Sequence, residues 1–338
     1  MADGRPKREM TLEEAMAGLP PDFAFFAERF RTQIQPGLVG REVTRLAAVK
    51  KQGEFGVYGL LAGLAIAAVG LILFHHPFGV ALGAMAGLGL YSWGSRELGQ
   101  LRRETKAMLI EPVVREFGMT YEATPAAPAD IMRFRELSLV PSWDRANFED
   151  KLSGQRQNAP FEFFEAHLED ERRSANSRNN REWVTVFRGQ CLVARFPKPF
   201  NGVTKVERDH GVMNVFAKMG EGMPKVKLED PVFEKAFEVY STDQIEARYI
   251  LTPDFMERLL KLEQTFEGKQ LRCAFQGGEM LLCVEGKYLF EPGSMYLRMD
   301  DLSRVQDMLH DFAAVFLLID AMVAQRTPEA LQPEGPKS

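Results

Sequence analysis

The sequence is poor in the residues that build catalytic centres. It holds three cysteines and five histidines in 338 residues. Cys191, Cys273 and Cys283 form no CxxC pair and share no ligand spacing with a histidine, which argues against a zinc or redox framework. Odd in number and each inside an apolar run, they read as reduced, buried thiols. His167, His210 and His310 lack ligand spacing too. No GxxxxGK[ST], no GxGxxG opening a helix after a strand, no HExxH and no GxSxG occurs, so phosphate-loop, Rossmann, zinc-protease and hydrolase readings lose their signatures. No catalytic residue, metal or cofactor is therefore assigned. A basic surplus is also missing: the formal net charge is −5, which gives no pull toward nucleic acid. No internal repeat is visible.

The most informative absence is local. Between Phe55 and Trp93 there is no Asp, Glu, Lys or Arg. The run Phe55–Phe74 is long enough, as a helix, to span a hydrocarbon core of about 30 Å. Phe78–Trp93 lies at the lower limit, and only His75, His76 and Pro77 separate the two. Such a connection makes the helices antiparallel neighbours and predicts a transmembrane hairpin over 55–93; a buried core hairpin is the soluble alternative. The first fifty residues are polar, so a cleaved leader is not expected. Arg41, Arg45, Lys50 and Lys51 precede the first run, and Arg96, Arg102, Arg103 and Lys106 follow the second. That bias predicts both termini on the cytoplasmic side. Gly59, Gly63 and Ala67, and Gly79, Gly83 and Gly87, recur every four residues. The two stripes are expected to face each other, or else to drive dimerisation. His75 and His76 read as turn residues, with metal binding or pH sensing as the alternative.

Charge differs between the two ends. Residues 1–119 carry 14 Lys/Arg against 12 Asp/Glu, and residues 120–338 carry 28 against 35. Residues 1–20 read as a mobile N-terminus, and 21–54 as a helical segment starting near Asp22 and broken at Pro36-Gly37. Val39, Val43 and Leu46 form one apolar stripe there. Leu98, Leu101, Met108 and Leu109 form another in an amphipathic stalk over 94–119, bounded by Pro112. The two pieces are expected to pair as a stalk whose basic residues favour anionic headgroups, or else to be solvated faces that only satisfy the orientation rule.

The remainder, 120–325, alternates strand and helix signals and predicts an α+β cytoplasmic domain attached to the two-helix transmembrane hairpin. Strands are expected at Phe161–Leu168, Glu182–Phe187 and Cys191–Phe196, the last two joined by a turn at Gly189. A hairpin is expected from Gln270–Phe275 and Met280–Val284 across Gln276-Gly277-Gly278, and a further strand at Lys287–Phe290. Thr252-Pro253 starts a helix carrying Phe255, Leu259, Leu260 and Leu262. A final helix, about Asp300 to Ala324, holds His310, Asp311 and Asp320 and so packs on the sheet, or lies on a membrane surface, rather than spanning. Residues 326–338 read as a disordered tail.

Several segments occur together and in order: FEFFEAHLE at Phe161–Glu169, VFRGQCLVARF at Val186–Phe196, VKLEDPVFEKAFEVYSTDQIEARYILTPDFMERLLKLEQ from Val226, and CAFQGGEMLLCVEGKYLFEP from Cys273. In these the chain resembles a bacterial family of uncharacterised membrane proteins, domain of unknown function three-one-three-seven. The resemblance covers roughly residues 20–325 and implies an N-terminal helix, a membrane hairpin and a cytoplasmic domain. It implies no activity.

Within those segments Glu229-Asp230-Pro231 reads as a turn before a short helix. Ser241, Thr242 and Asp243 are cap residues for a helix carrying Glu246 and Arg248, with Ser241 and Gln244 fitting a capping box. Asp243, Glu246, Arg248 and Tyr249 form the candidate polar cluster: a ligand or acid/base set, or a network that fixes a strand–helix junction. Glu165 and Arg188, both in expected strands, form the other candidate group, or else an ion pair across neighbouring strands. The function expected is a membrane-anchored interaction or scaffolding module of a bacterial inner membrane. Its partners would be the lipid bilayer and a protein or a second copy of the chain. The rivals are an enzyme or ligand-binding domain at the membrane surface, and, more remotely, transport.

Overall fold

The computed structural model describes residues 10–74, 78–173, 181–196, 198–208, 222–265 and 270–323. The chain divides into two compact units, residues 1–113 with 290–313 and residues 114–289 with 314–338. The expectations for residues 1–9, for His75, His76 and His210, and for the tail lie outside the described residues.

In the first unit, α1 (Leu12–Ala15) is capped by Thr11, whose Oγ1 accepts from Glu14 N at 3.2 Å while Glu14 accepts from Thr11 N at 2.8 Å. The segment read as mobile thus contains a capped helical turn. A 3-10 turn (Pro21–Phe23), α2 (Phe26–Arg29), a π turn (Phe30–Ile34) and α3 (Gln35–Gly40) follow. The expected break at Pro36-Gly37 does not occur. The π turn sends Gln35 N–H five residues back to Phe30 O, so Pro36 falls in the first turn of α3, where its missing N–H costs little.

Three longer helices come next: α4 (Glu42–Phe74), α5 (Phe78–Gly94) and α6 (Arg96–Glu116). α4 belongs to a helical stretch long and apolar enough to cross a membrane, with 11% of its most apolar window buried; α5 is a shorter apolar helix. Pro112 does not end α6. It lies among fully buried Leu109, Ile110 and Val113, whose packing offsets the one hydrogen bond that proline removes. Val39, Val43 and Leu46 do not form the inward face; they are 51–77% exposed. The inward face is Leu38, Arg45, Ala48 and Gln52, with Ala48 packed against Leu98 and Met295.

The second unit is built on one antiparallel sheet. Its strands are β1 (Thr120–Glu122), β2 (Arg145–Arg156), β3 (Ala159–Arg173), β4 (Arg181–Arg195), β5 (Thr204–Arg208), β6 (Phe237–Ser241), β7 (Leu271–Gln276) and β8 (Glu279–Glu285), in the order β1-β2-β3-β4-β8-β7-β5-β6. The expected β7–β8 hairpin is present, with Gly277 and Gly278 at φ +65° and +79° as a two-residue turn requires. The expected strands at 182–187 and 191–196 are one continuous β4, and Gly189 is not a turn: it pairs with Ala166 on one side and Glu285 on the other. Lys287–Phe290 adds no strand; Phe290 takes φ +57° and leaves the sheet.

One face of the sheet packs Phe148, Phe164, Cys191 and Cys283 against Phe134 of α7 (Ile131–Glu136) and Leu139. On the other, Phe275 meets Phe196 and Phe255 at centroid distances of 5.0 and 5.8 Å. Phe255 belongs to α10 (Pro253–Thr265), which starts at Thr252-Pro253 as expected, the Thr252 carbonyl accepting from Phe255 N and Met256 N. α8 (Pro231–Ala236) and α9 (Gln244–Ile250) are the short helices flanking β6. The last helix, α11 (Ser303–Val323), packs on the sheet: Arg156 of β2 grips Asp320 with two bonds of 2.5 and 2.6 Å and lies 4.4 Å over Phe316.

Candidate functional site

The small residues of α4 and α5 lie against each other. A Cβ on Gly59 would stand 2.6 Å from Gly87 O, one on Gly63 2.8 Å from Gly83 O, and one on Gly83 3.1 Å from Ala67 N. The two stripes therefore approach backbone to backbone, antiparallel, and Gly70 with Gly79 extends the contact by another turn. What this leaves outside is apolar: Leu60, Leu61, Leu64, Ile72, Phe78, Met85 and Leu88 are 58–73% exposed. Near the start of the charge-free stretch, Lys51 pairs with Glu97 at 2.5 Å and lies 5.7 Å over Trp93, and Phe55 meets Trp93 at 4.9 Å.

In the second unit, Asp243 is the N-cap of α9, accepting from Ile245 N at 2.8 Å and Glu246 N at 3.0 Å. Glu246 accepts from Asn201 N at 2.7 Å and Gly202 N at 2.6 Å. Arg248 donates to the carbonyls of Gln244 and Lys227 at 3.0 and 3.2 Å. Tyr249 lies under Lys198 Nζ at 4.5 Å, and the same ammonium donates to its carbonyl. Each of these three side chains thus contacts main-chain groups: Asp243 at the start of α9, Glu246 in the segment before β5, and Arg248 in α9 and the segment before α8. Ser241 is not the cap; its hydroxyl is buried between Thr204 Oγ1 at 2.8 Å and Asp243 O at 2.8 Å. Asp230 caps α8 in the same manner as Asp243 caps α9.

Two buried polar groups carry no motif, and of their residues the sequence singles out Glu165 alone. Asp150, fully buried with φ +53°, sits in a β-bulge of β2 and accepts from Tyr121 Oη at 2.6 Å. Burial and the Asp150 charge push the Tyr121 phenol well above its usual range, so it remains a donor. Fully buried Glu165 accepts from Leu289 N at 2.6 Å and Gln190 Nε2 at 3.3 Å. Its expected partner Arg188 stands opposite His167 and lies 4.3 Å over the Tyr288 ring. The second group is on β5–β6–β7. Glu207 lies between Glu238 and Arg272, 7% exposed, and burial, with the Glu238 charge, pushes its carboxyl up to about 7. Burial also lowers the ammonium of Lys205, two residues along on the same face. The only hint in sequence was the charged alternation of Lys205 and Glu207 around Val206. Among the described residues no His/Cys/Asp/Glu group could hold a metal ion.

Residues 185–323 match the model of a family described as protein of unknown function (DUF3137). The matched stretch runs from within β4 to the end of α11, so the Asp243–Tyr249 junction and Glu207 lie inside it, while α4, α5 and Asp150 lie outside it. No curated protein matches. A solved structure, the mycobacterial trehalose monomycolate transport factor A, TtfA, is similar over 65% of this chain and 96% of its own, at 12% identity. Its TM-score is 0.31, too low to assign a shared fold.

Proposed function

We propose that the chain is a membrane-anchored interaction module. In this reading α4 and α5 cross a bacterial inner membrane as a hairpin, both termini are cytoplasmic, and the eight-stranded unit presents a surface to a protein partner. The observation that carries it is the exposed apolar shell of α4 and α5 around a backbone seam of glycines. At roughly 25 cal/mol per Å², leaving that shell in water would be costly, and a hydrocarbon layer removes the cost. Basic residues flank both ends of the charge-free stretch.

The partner surface in this reading is α9. Its acidic and basic groups are engaged with main chain, whereas Ile245 and Tyr249, one turn apart, are 81% and 49% exposed. The test is affinity purification of the full-length protein in mild detergent with mass spectrometry, beside an Ile245→Asp/Tyr249→Asp variant. A stoichiometric protein retained by the parent and lost from the variant supports the module. A second copy of the chain in that role makes the interaction homo-oligomeric. No retained protein, or equal retention by both, removes the α9 reading.

A further inference from the structure

The segment Gly293–Asp300 is held by side-chain hydrogen bonds to its backbone from Arg304, Arg45 and Glu42. Arg304, 1% exposed, donates to the carbonyls of Pro292 at 2.5 Å, Ser294 at 3.2 Å and Arg298 at 2.8 Å. Arg45 donates to the carbonyls of Met295 and Tyr296 at 3.1 and 3.4 Å, and Glu42 accepts from Met299 N at 2.9 Å. Gly293 takes φ +73° close against Arg304, where a side chain would be strained.

This framework buries Met295 against Ala48 and Leu98 but turns its neighbours outward: Tyr296 is 63% and Leu297 46% exposed. Their level along α4 is fixed by hydrogen bonds. Tyr296 Oη donates to Gln52 Oε1 at 2.7 Å, and Gln52 Nε2 donates to Tyr91 Oη at 3.2 Å. Gln52 is three residues before Phe55, where the charge-free stretch begins, and Tyr91 is two before its last residue, Trp93. The loop is thus held where the apolar stretch meets the charged one. Lys50, 79% exposed at its side chain and 3.8 Å from the Glu54 carboxylate, and exposed Arg96 flank the same level.

We propose that the Ser294–Arg298 loop is a lipid-contact element, with Tyr296 and Leu297 seated in the headgroup layer of the bilayer that α4 and α5 cross. The inference rests on the bilayer reading above. A tyrosine with its ring in the acyl boundary and its hydroxyl on a polar partner suits that layer, as does a leucine beside it. The flanking lysine and arginine suit anionic phosphates. Two large apolar side chains held outward by a buried arginine and a helix-borne one match a surface that is always present.

The experiment uses the full chain with a nitroxide on Leu297→Cys, and separately on Leu64→Cys, reconstituted in vesicles of phosphatidylethanolamine and phosphatidylglycerol. The native thiols are buried and do not compete for label. Collision with oxygen and with a water-soluble nickel chelate is compared with lipids labelled at the headgroup and along the chain. The expected result is an oxygen-to-nickel ratio at position 297 at or above that of the headgroup label, with 64 reading deep. A water-like ratio at 297 with 64 deep overturns the lipid contact and leaves the hairpin standing. So does a ratio at 297 that is low for both probes, which would mean a protein surface covers it. Water-like values at both positions overturn the hairpin and the lipid contact together.

Discussion

Gly189 faces Glu285 across the β4–β8 ladder so closely that the carbonyl oxygen of Val284 occupies the place where a Cβ would stand. The Cα of Glu285 lies 2.9 Å from the same point. A methyl group here has only backbone to displace, so Gly189→Ala must part the two central strands. The expected cost is about 2 kcal/mol, a drop of roughly 4–8 °C in the unfolding midpoint of a unit of this size. Gly53→Ala, with nothing within 4 Å, is the matched control and should leave the midpoint unchanged or slightly raised.

That same glycine shows where sequence reading ended. A glycine between two apolar runs is equally a turn or a close approach, and only the partner strand decides. β2 was invisible for a related reason. Phe148 packs with the α7 face while Leu152 pairs with Phe163 on the other, because the bulge between Glu149 and Leu152 inserts a residue and breaks the alternation. Signals that act within a few residues were legible: Asp230 and Thr252 at helix starts, Gly277-Gly278 in the hairpin, the four-residue glycine spacing in α4 and α5. In the candidate cluster the residues were legible but not their use, since Glu246 meets the amides of Asn201 and Gly202 from more than forty positions away.

The α4–α5 seam yields a paired prediction. A Cβ on Gly83 would strike Gly63 O and lie 3.1 Å from Ala67 N, whereas Gly89 has open space. Gly83→Leu is expected to loosen the seam by about 2 kcal/mol, raising amide exchange of α4 and α5 peptides in detergent more than tenfold; Gly89→Leu should not. Equal behaviour of the two variants would show that the glycine spacing is not what joins these helices.

The pH dependence of the second unit follows from Glu207. Its folded-state pKa of about 7 lies above the ordinary carboxylate value of 4.5. Between those values the folded protein keeps a proton that the unfolded chain has released, so stability falls as pH rises from about 4.5 through 7. Glu207→Gln removes the titration. At pH 8 the variant should exceed the parent by roughly 1–2 kcal/mol, after discounting for solvent screening, and at pH 5 the two should be close. Glu42, held near 2 chiefly by its hydrogen bond from Arg45, acts in the opposite sense but only below about pH 4.5. Urea unfolding at pH 5, 6, 7 and 8 reads the difference; a parent that gains stability over this range contradicts the assignment.

Arg304 makes the loop that carries Tyr296 and Leu297 depend on one side chain. Its guanidinium serves carbonyls on both sides of the turn, and a lysine ammonium, with a single point of charge, cannot span them. Arg304→Lys keeps the charge but leaves buried carbonyls unmet, at roughly 1–3 kcal/mol each. The loop should then open locally before the rest of the chain unfolds. Arg298, whose side chain is 68% exposed, provides the readout: trypsin should cut after it in the lysine variant much faster than in the parent. Resistance equal to that of the parent would mean that Arg45 and Glu42 alone hold the loop against α4.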